Sequence, residues 1–191
     1  MNTDHPRELI PRDKALRLIS ELKAIKGKAH NAAQQWELLE ETGNVPATAS
    51  YTGLLQHAID SQDLSHEVLR LTANFARSPY RNTPAGSCVP IHLGIAATMS
   101  NHATAQFAET AECGLALLQS ADPAGQEYLT TNMVSHHATG RAYLRRTAQA
   151  LSLATGDLVG HLGFQQRTLA TPTLQENPPA PAPPGPGGPH R

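Results

Sequence analysis

Residues 13–42, DKALRLISELKAIKGKAHNAAQQWELLEET, decide the fold. Their apolar positions Ala15, Leu18, Leu22, Ile25, Ala29, Ala32, Trp36 and Leu39 follow one another at intervals of three and four. That spacing lays them along one stripe of a helix, the seam of a bundle. Pro11 precedes the stretch, Asp13 is placed to cap it, and Gly43 suits its exit.

Three further stretches carry the same spacing. Residues 49–77 put Tyr51, Leu54, Ala58, Ser61, Ser65, Val68, Thr72 and Phe75 in register, with Ser50 as cap and Ser78-Pro79 as stop. Residues 90–121 do so with Leu93, Ala97, Ser100, Thr104, Phe107, Ala111, Gly114 and Leu118, up to Asp122-Pro123. Residues 124–155 do so with Leu129, Met133, His136, Gly140, Tyr143, Thr147, Ala150 and Ala154, with Gly156 as the end. A short amphipathic helix over 157–168 then packs back through Leu158, Leu162 and Phe164. Apolar residues make up 39% of the chain and aromatics only 4%. A core of alanine, leucine and small side chains suits closely packed helices rather than sheets.

The expectation is an all-α protein. Residues 12–170 form an antiparallel up-down-up-down four-helix bundle with a short C-terminal helix. Residues 1–11 form a flexible N-terminus. Residues 171–191, TPTLQENPPAPAPPGPGGPHR, form a disordered Pro/Gly-rich tail.

Stacking the four seams under that topology predicts core layers. One joins Ala29, Ser61, Phe107 and Gly140. The next joins Ala32, Ala58, Ala111 and His136. A third joins Trp36, Leu54, Gly114 and Met133. Each sets large side chains against small ones, as dense packing requires. His136 is the histidine that falls directly on a seam. A buried imidazole there needs a hydrogen-bond partner, a ligand or a metal.

The ten histidines raise the question of metal. The nearest match to a carboxylate–histidine pair is Asp63-x-x-His66, and Asp60, Asp63 and Glu67 face away from the seam. A mononuclear site drawing on His57, His136 and His137 is the remaining metal candidate. No nucleophile elbow, phosphate-binding loop, dinucleotide fingerprint or Cys-x-x-Cys is present in the sequence, and no cofactor is expected. Cys88 and Cys113 bracket one helix, roughly 37 Å apart at about 1.5 Å per residue, too far for a disulfide. They are expected as free thiols, in a reducing cytoplasm.

The net charge is -1, yet the charges segregate. Every lysine lies between Lys14 and Lys28. Folded as proposed, Arg12, Lys14, Arg17, Lys23, Lys26, Arg70, Arg77, Arg141, Arg145 and Arg146 gather toward one end. Glu37, Glu40, Glu41, Glu109, Glu112 and Glu127 gather toward the other. A basic pole attracts anionic partners, and opposite poles can assemble copies. Nucleic acid is among the anionic partners this pole could take, but not sequence-specifically: scarce aromatics at the basic end argue against single-strand recognition, and no helix-turn-helix pattern is present. No run of residues is apolar enough to span a membrane.

The reading is a non-catalytic helical interaction module, bacterial from its arginine and alanine bias. It binds a protein or other anionic partner, or itself, through the basic end. The alternative is a metal- or small-ligand-binding bundle centred on His136, and possible as an enzyme.

Overall fold

The computed structural model describes residues 10–38, 51–82 and 88–170. Four helices are found: α1 (Arg12–Gln35), α2 (Tyr51–Arg77), α3 (Val89–Gln119) and α4 (Pro123–Ala170), with one 3-10 turn over Pro79–Asn82. The expected tail, most of the expected flexible N-terminus, and Leu39, Gly43 and Ser50 lie outside the described residues.

Side-chain bonds between helices give the topology. Lys28 reaches Glu67 from α1 to α2 (2.5 Å). Ser65 donates to Asn101 from α2 to α3 (2.5 Å). His92 meets Asp157 from α3 to α4 (3.4 Å). Lys26 donates to Ser152 from α1 to α4 (3.3 Å). With Ser61–Thr104 and the Gln165 side-chain amide on the Ile10 carbonyl, these contacts run antiparallel around the ring α1–α4–α3–α2. The molecule is an antiparallel up-down-up-down four-helix bundle. The ring is uneven: α3 packs extensively on α4 and α2, α1 packs on α4, and α1 and α2 barely touch.

Glycine sets two of the core layers. A Cβ at Gly140 would lie 3.0–3.2 Å from three carbons of the Phe107 ring. A Cβ at Gly114 would lie 2.8 Å from Leu54 Cδ1 and 3.8 Å from Met133 Sδ. Phe107–Gly140 and Leu54–Gly114–Met133 therefore share layers as the sequence predicts, but Trp36, expected beside Leu54 and Met133, packs on Phe107 and His57 instead, and Leu38 and Ala111 join Leu54 and Met133, because the chain leaves helical geometry at Trp36. Between α2 and α3 the close approach is made by small polar residues. Ser61, Ser65 and Ser100 are buried, and they hydrogen-bond to Thr104, Asn101 and each other. Each buried hydroxyl is thereby satisfied.

The buried faces are wider than a single line, and this moves several residues. Ile19 and Ala33 are buried on α1, while Leu18 and Ala32 are partly so. On α2, Leu64 and Leu71 join the core. Leu118 of α3 is 73% exposed. On α4, Leu144 is buried where Tyr143 was expected, and His137 where His136 was expected. A core-facing stripe spans two adjacent positions in each turn, and three-four spacing alone does not say which of the two points deepest.

The ends also differ from expectation. Asp13 sits in the first turn of α1, where it favours the helix dipole, but it caps nothing: the N-cap is Pro11, without a side-chain bond. α1 stops at Gln35 rather than near Thr42, because Trp36 leaves helical geometry at φ -80°, ψ 83°. Arg141 Nε donates to the Ala33 carbonyl (2.8 Å) and satisfies this helix end. Asp122, expected only as a stop for α3, also starts α4: its Oδ2 accepts from the Gly125 N–H (2.9 Å). The short C-terminal helix is not separate. α4 continues through Gly156, Gly160 and Gly163 to Ala170. Leu151, Ala154, Leu158 and His161 keep the buried face unbroken across Gly156, and tertiary packing outweighs glycine's poor helix propensity.

Gly140→Leu is expected to lower stability by about 2–3 kcal/mol through overpacking against a ring with no room to retreat. Gly27→Ala, where a Cβ meets nothing within 4 Å, is expected to raise it by about 0.5–1 kcal/mol. Urea unfolding followed by far-UV circular dichroism checks both.

Candidate functional site

The helical ends and seams bring four rings together, one from each helix or its immediate end. Trp36 follows the last turn of α1, His57 is on α2, Phe107 on α3 and His137 on α4. Trp36 stacks on His57 with centroids 4.7 Å apart and planes 10° apart. Phe107 meets Trp36 edge-on at 5.0 Å and His137 edge-on at 5.4 Å. His57 and His137 lie 5.7 Å apart. Below them Gly140 leaves space for the Phe107 ring.

His137 is 2% exposed. Burial, then the neighbouring His57 and Arg141, push its pKa down to about 4. Burial also lowers the pKa of His57, against the pull of Asp60. Both rings are therefore neutral near pH 7. His57 Nδ1 and His137 Nε2 are buried without a hydrogen-bond partner among the described residues. The pair thus offers two imidazole nitrogens within the ring cluster, where His57 stacks on Trp36.

His136, expected at the centre of the bundle, is instead on the α3–α4 surface. Its Nδ1 lies 2.8 Å from Glu109 Oε2 and 3.1 Å from Gln106 Oε1. One helical position is a rotation of about 100°, enough to exchange core for rim. Of the proposed three histidines, His57 and His137 come together and His136 does not. Among the described residues, no group of three or more His, Cys, Asp and Glu side chains could hold a metal ion.

Where α1 and α2 part, an open groove runs beside the ring cluster. One stretch of about 440 Å³ has Trp36, Asn31, Asp60 and Asp63 on its walls. The next, of about 430 Å³, is lined by Glu21, Ile25, Arg70 and Leu71. The Lys28–Glu67 ion pair divides them. Sequence reasoning missed this groove, because seam positions say which residues face inward and not how far two helices stand apart.

The basic residues fall into three groups. Arg12, Lys14, Arg17 and Arg77 are exposed at the end where α1 begins and α2 stops. Lys14 Nζ contacts the Tyr80 hydroxyl (3.2 Å) and lies 5.4 Å from its ring centroid. Lys23, Lys26, Arg70, Arg145 and Arg146 lie nearer mid-height. Arg141 is turned inward to the end of α1, with Glu37 3.7 Å away. Neither Cys88 nor Cys113 is in a disulfide. Burial, with Glu112 and Glu109 nearby, raises the pKa of Cys113 and opposes thiolate formation. No helix among the described residues is long and apolar enough to cross a membrane.

The neutral histidines set a pH dependence. The unfolded chain takes up a proton at residue 137 near pH 6.5, while the folded chain resists until about 4. Stability is therefore full above pH 6.5 and falls as the pH drops toward 4, by roughly 3 kcal/mol from this group. His57 adds to the loss in the same direction. His137→Phe, which keeps a ring in the layer, is expected to remove most of this slope. Urea midpoints at pH 7.5 and about 4.5 measure it.

Compared with known protein families, curated proteins and solved structures, this chain matches none.

Proposed function

We propose that the chain is a non-catalytic helical interaction module that binds an acidic protein partner through its basic end. The observation that carries this reading is the group Arg12, Lys14, Arg17 and Arg77, exposed together where α1 begins and α2 stops. None of the four has an ion pair among the described residues. Unpaired surface cations raise the local concentration of anionic partners and speed encounter. Their charge lies on a rigid bundle, so little ordering is needed on binding. Cys88 and Cys113, which form no disulfide, support a reducing compartment, the bacterial cytoplasm, as the place of action.

The alternative is a bundle that binds a metal or small ligand. What supports it is the His57–His137 pair with its two unpartnered nitrogens, which takes the place first given to His136. Imidazole suits copper and zinc. Calorimetric titration with each ion separates the readings: heat lost in His137→Phe favours the ligand-binding bundle.

The principal test uses fluorescence anisotropy with a labelled polyglutamate peptide, and duplex DNA for comparison. Binding to the peptide is expected to weaken steeply with salt. The triple variant Arg12→Glu, Arg17→Glu, Arg77→Glu is expected to weaken it at least about tenfold, a change of roughly 1.4 kcal/mol. Equal binding by the variant and the wild type defeats the reading.

A further inference from the structure

The outward face of α4 carries a second seam that the core does not use. Ala142, Arg146, Gln149, Leu153, Gly156, Gly160 and Phe164 are all exposed and follow one another at intervals of three and four. Leu153 is 50% exposed and Phe164 54%. On the neighbouring edge of α3, Ile91 is 61% exposed and Ile95 45%. Between the helices a shallow groove of about 240 Å³ is lined by Ile95, Met99, Ala150 and Leu153 together with His92, Arg146 and Gln149. Exposed apolar side chains contiguous along one face mark a contact surface.

The glycines make the face more unusual. A Cβ at Gly156 or Gly160 would meet nothing within 4 Å. Glycine weakens a helix relative to alanine, and no packing among the described residues requires it at these positions. A second helix approaching closely would.

We propose that the occupant is a second copy of this chain, its α4 lying antiparallel across α4 with Leu153 at the two-fold axis. Reversing the seam about residue 153 sets Leu153 against the partner's Leu153. It sets Gln149 near the partner's Gly156, Arg146 near the partner's Gly160, and Phe164 near the partner's Ala142. Away from the axis each long side chain then meets a small one, as in interhelical knobs-into-holes packing.

The charges follow the same register. Arg146 lies over the Tyr143 ring (6.0 Å) and has no ion pair among the described residues. Crossing near the partner's Gly160 brings it within one turn of the partner's Asp157. In the monomer Asp157 faces His92 at 3.4 Å and its side chain remains one-third exposed. Two reciprocal Arg146–Asp157 pairs would flank the central leucines. In-register parallel pairing would instead oppose Arg146 to Arg146 and leave glycine facing glycine. α3 contains no lysine or arginine, so the apolar edge of the interface is free of that repulsion. The pairing leaves the basic end of α1 and α2 uncovered, so the dimer and the anionic-partner reading stand or fall separately.

Sedimentation velocity of the full chain over rising concentrations tests the proposal. A single monomer–dimer step is expected. Leu153→Glu should weaken dimerisation roughly 30-fold or more. Gly160→Leu should weaken it comparably while raising the thermal midpoint of the monomer, since its side chain meets only solvent there. Arg146→Asp and Asp157→Arg should each weaken the dimer, and the double variant should recover it. A monomer at every concentration, an open-ended series of larger species, a dimer indifferent to Leu153→Glu and Gly160→Leu, or no recovery in the double variant would each overturn it.

Discussion

The bundle depends on the seating of Phe107 over Gly140. The Phe107 ring is 1% exposed and is the largest fully buried side chain among the described residues. It comes within 3.0–3.2 Å of the space a Cβ at Gly140 would need. Glycine at that point lets α3 and α4 approach closely enough for the ring to lie across the helix backbone. Trp36, His57 and His137 close the other sides. Because these rings come from all four helical segments, the position of any one helix constrains the other three. The dense side of the bundle, α3 against α4 and α2, follows from that contact and from the serine and threonine ladder beside it.

The same construction explains where α1 ends and why α1 and α2 stay apart. The backbone leaves helical geometry at Trp36, whose ring stacks on His57, and Leu38 enters a second small cluster with Leu54, Ala111 and Met133. Arg141 then covers the exposed carbonyl end. With α1 held by α4 and by this stack, the α1–α2 side is left to long polar side chains and becomes a groove. Burial of two imidazoles is tolerated because both stay neutral. This makes the ring cluster a source of acid sensitivity as well as of packing.

The candidate sites lie on separate parts of the bundle. Arg12, Lys14, Arg17 and Arg77 occupy one end, the apolar seam of α4 runs along one side, and the histidine pair lies inside. These surfaces share no residue. Arg141 shows why formal charge alone misleads: it belongs to the same run as Arg145 and Arg146, yet its side chain completes the end of α1.

The spacing of apolar residues by itself determined four helices, their antiparallel order and parts of two core layers, because burial of an amphipathic stripe leaves few alternatives. The match of Phe107 with Gly140, and of Leu54 with Gly114 and Met133, was legible because large and small side chains must alternate to fill a core. What only the tertiary structure decided was rotation and separation. His137 rather than His136 turned inward because adjacent positions on a broad buried face differ by about 100°, and the neighbouring rings select between them. α4 ran on through Gly156 because Leu151, Ala154 and Leu158 are held by α1 and α3, a restraint local propensity does not contain. The groove between α1 and α2 likewise arose from contacts distant in sequence, since the gap between two helices depends on what each packs against elsewhere.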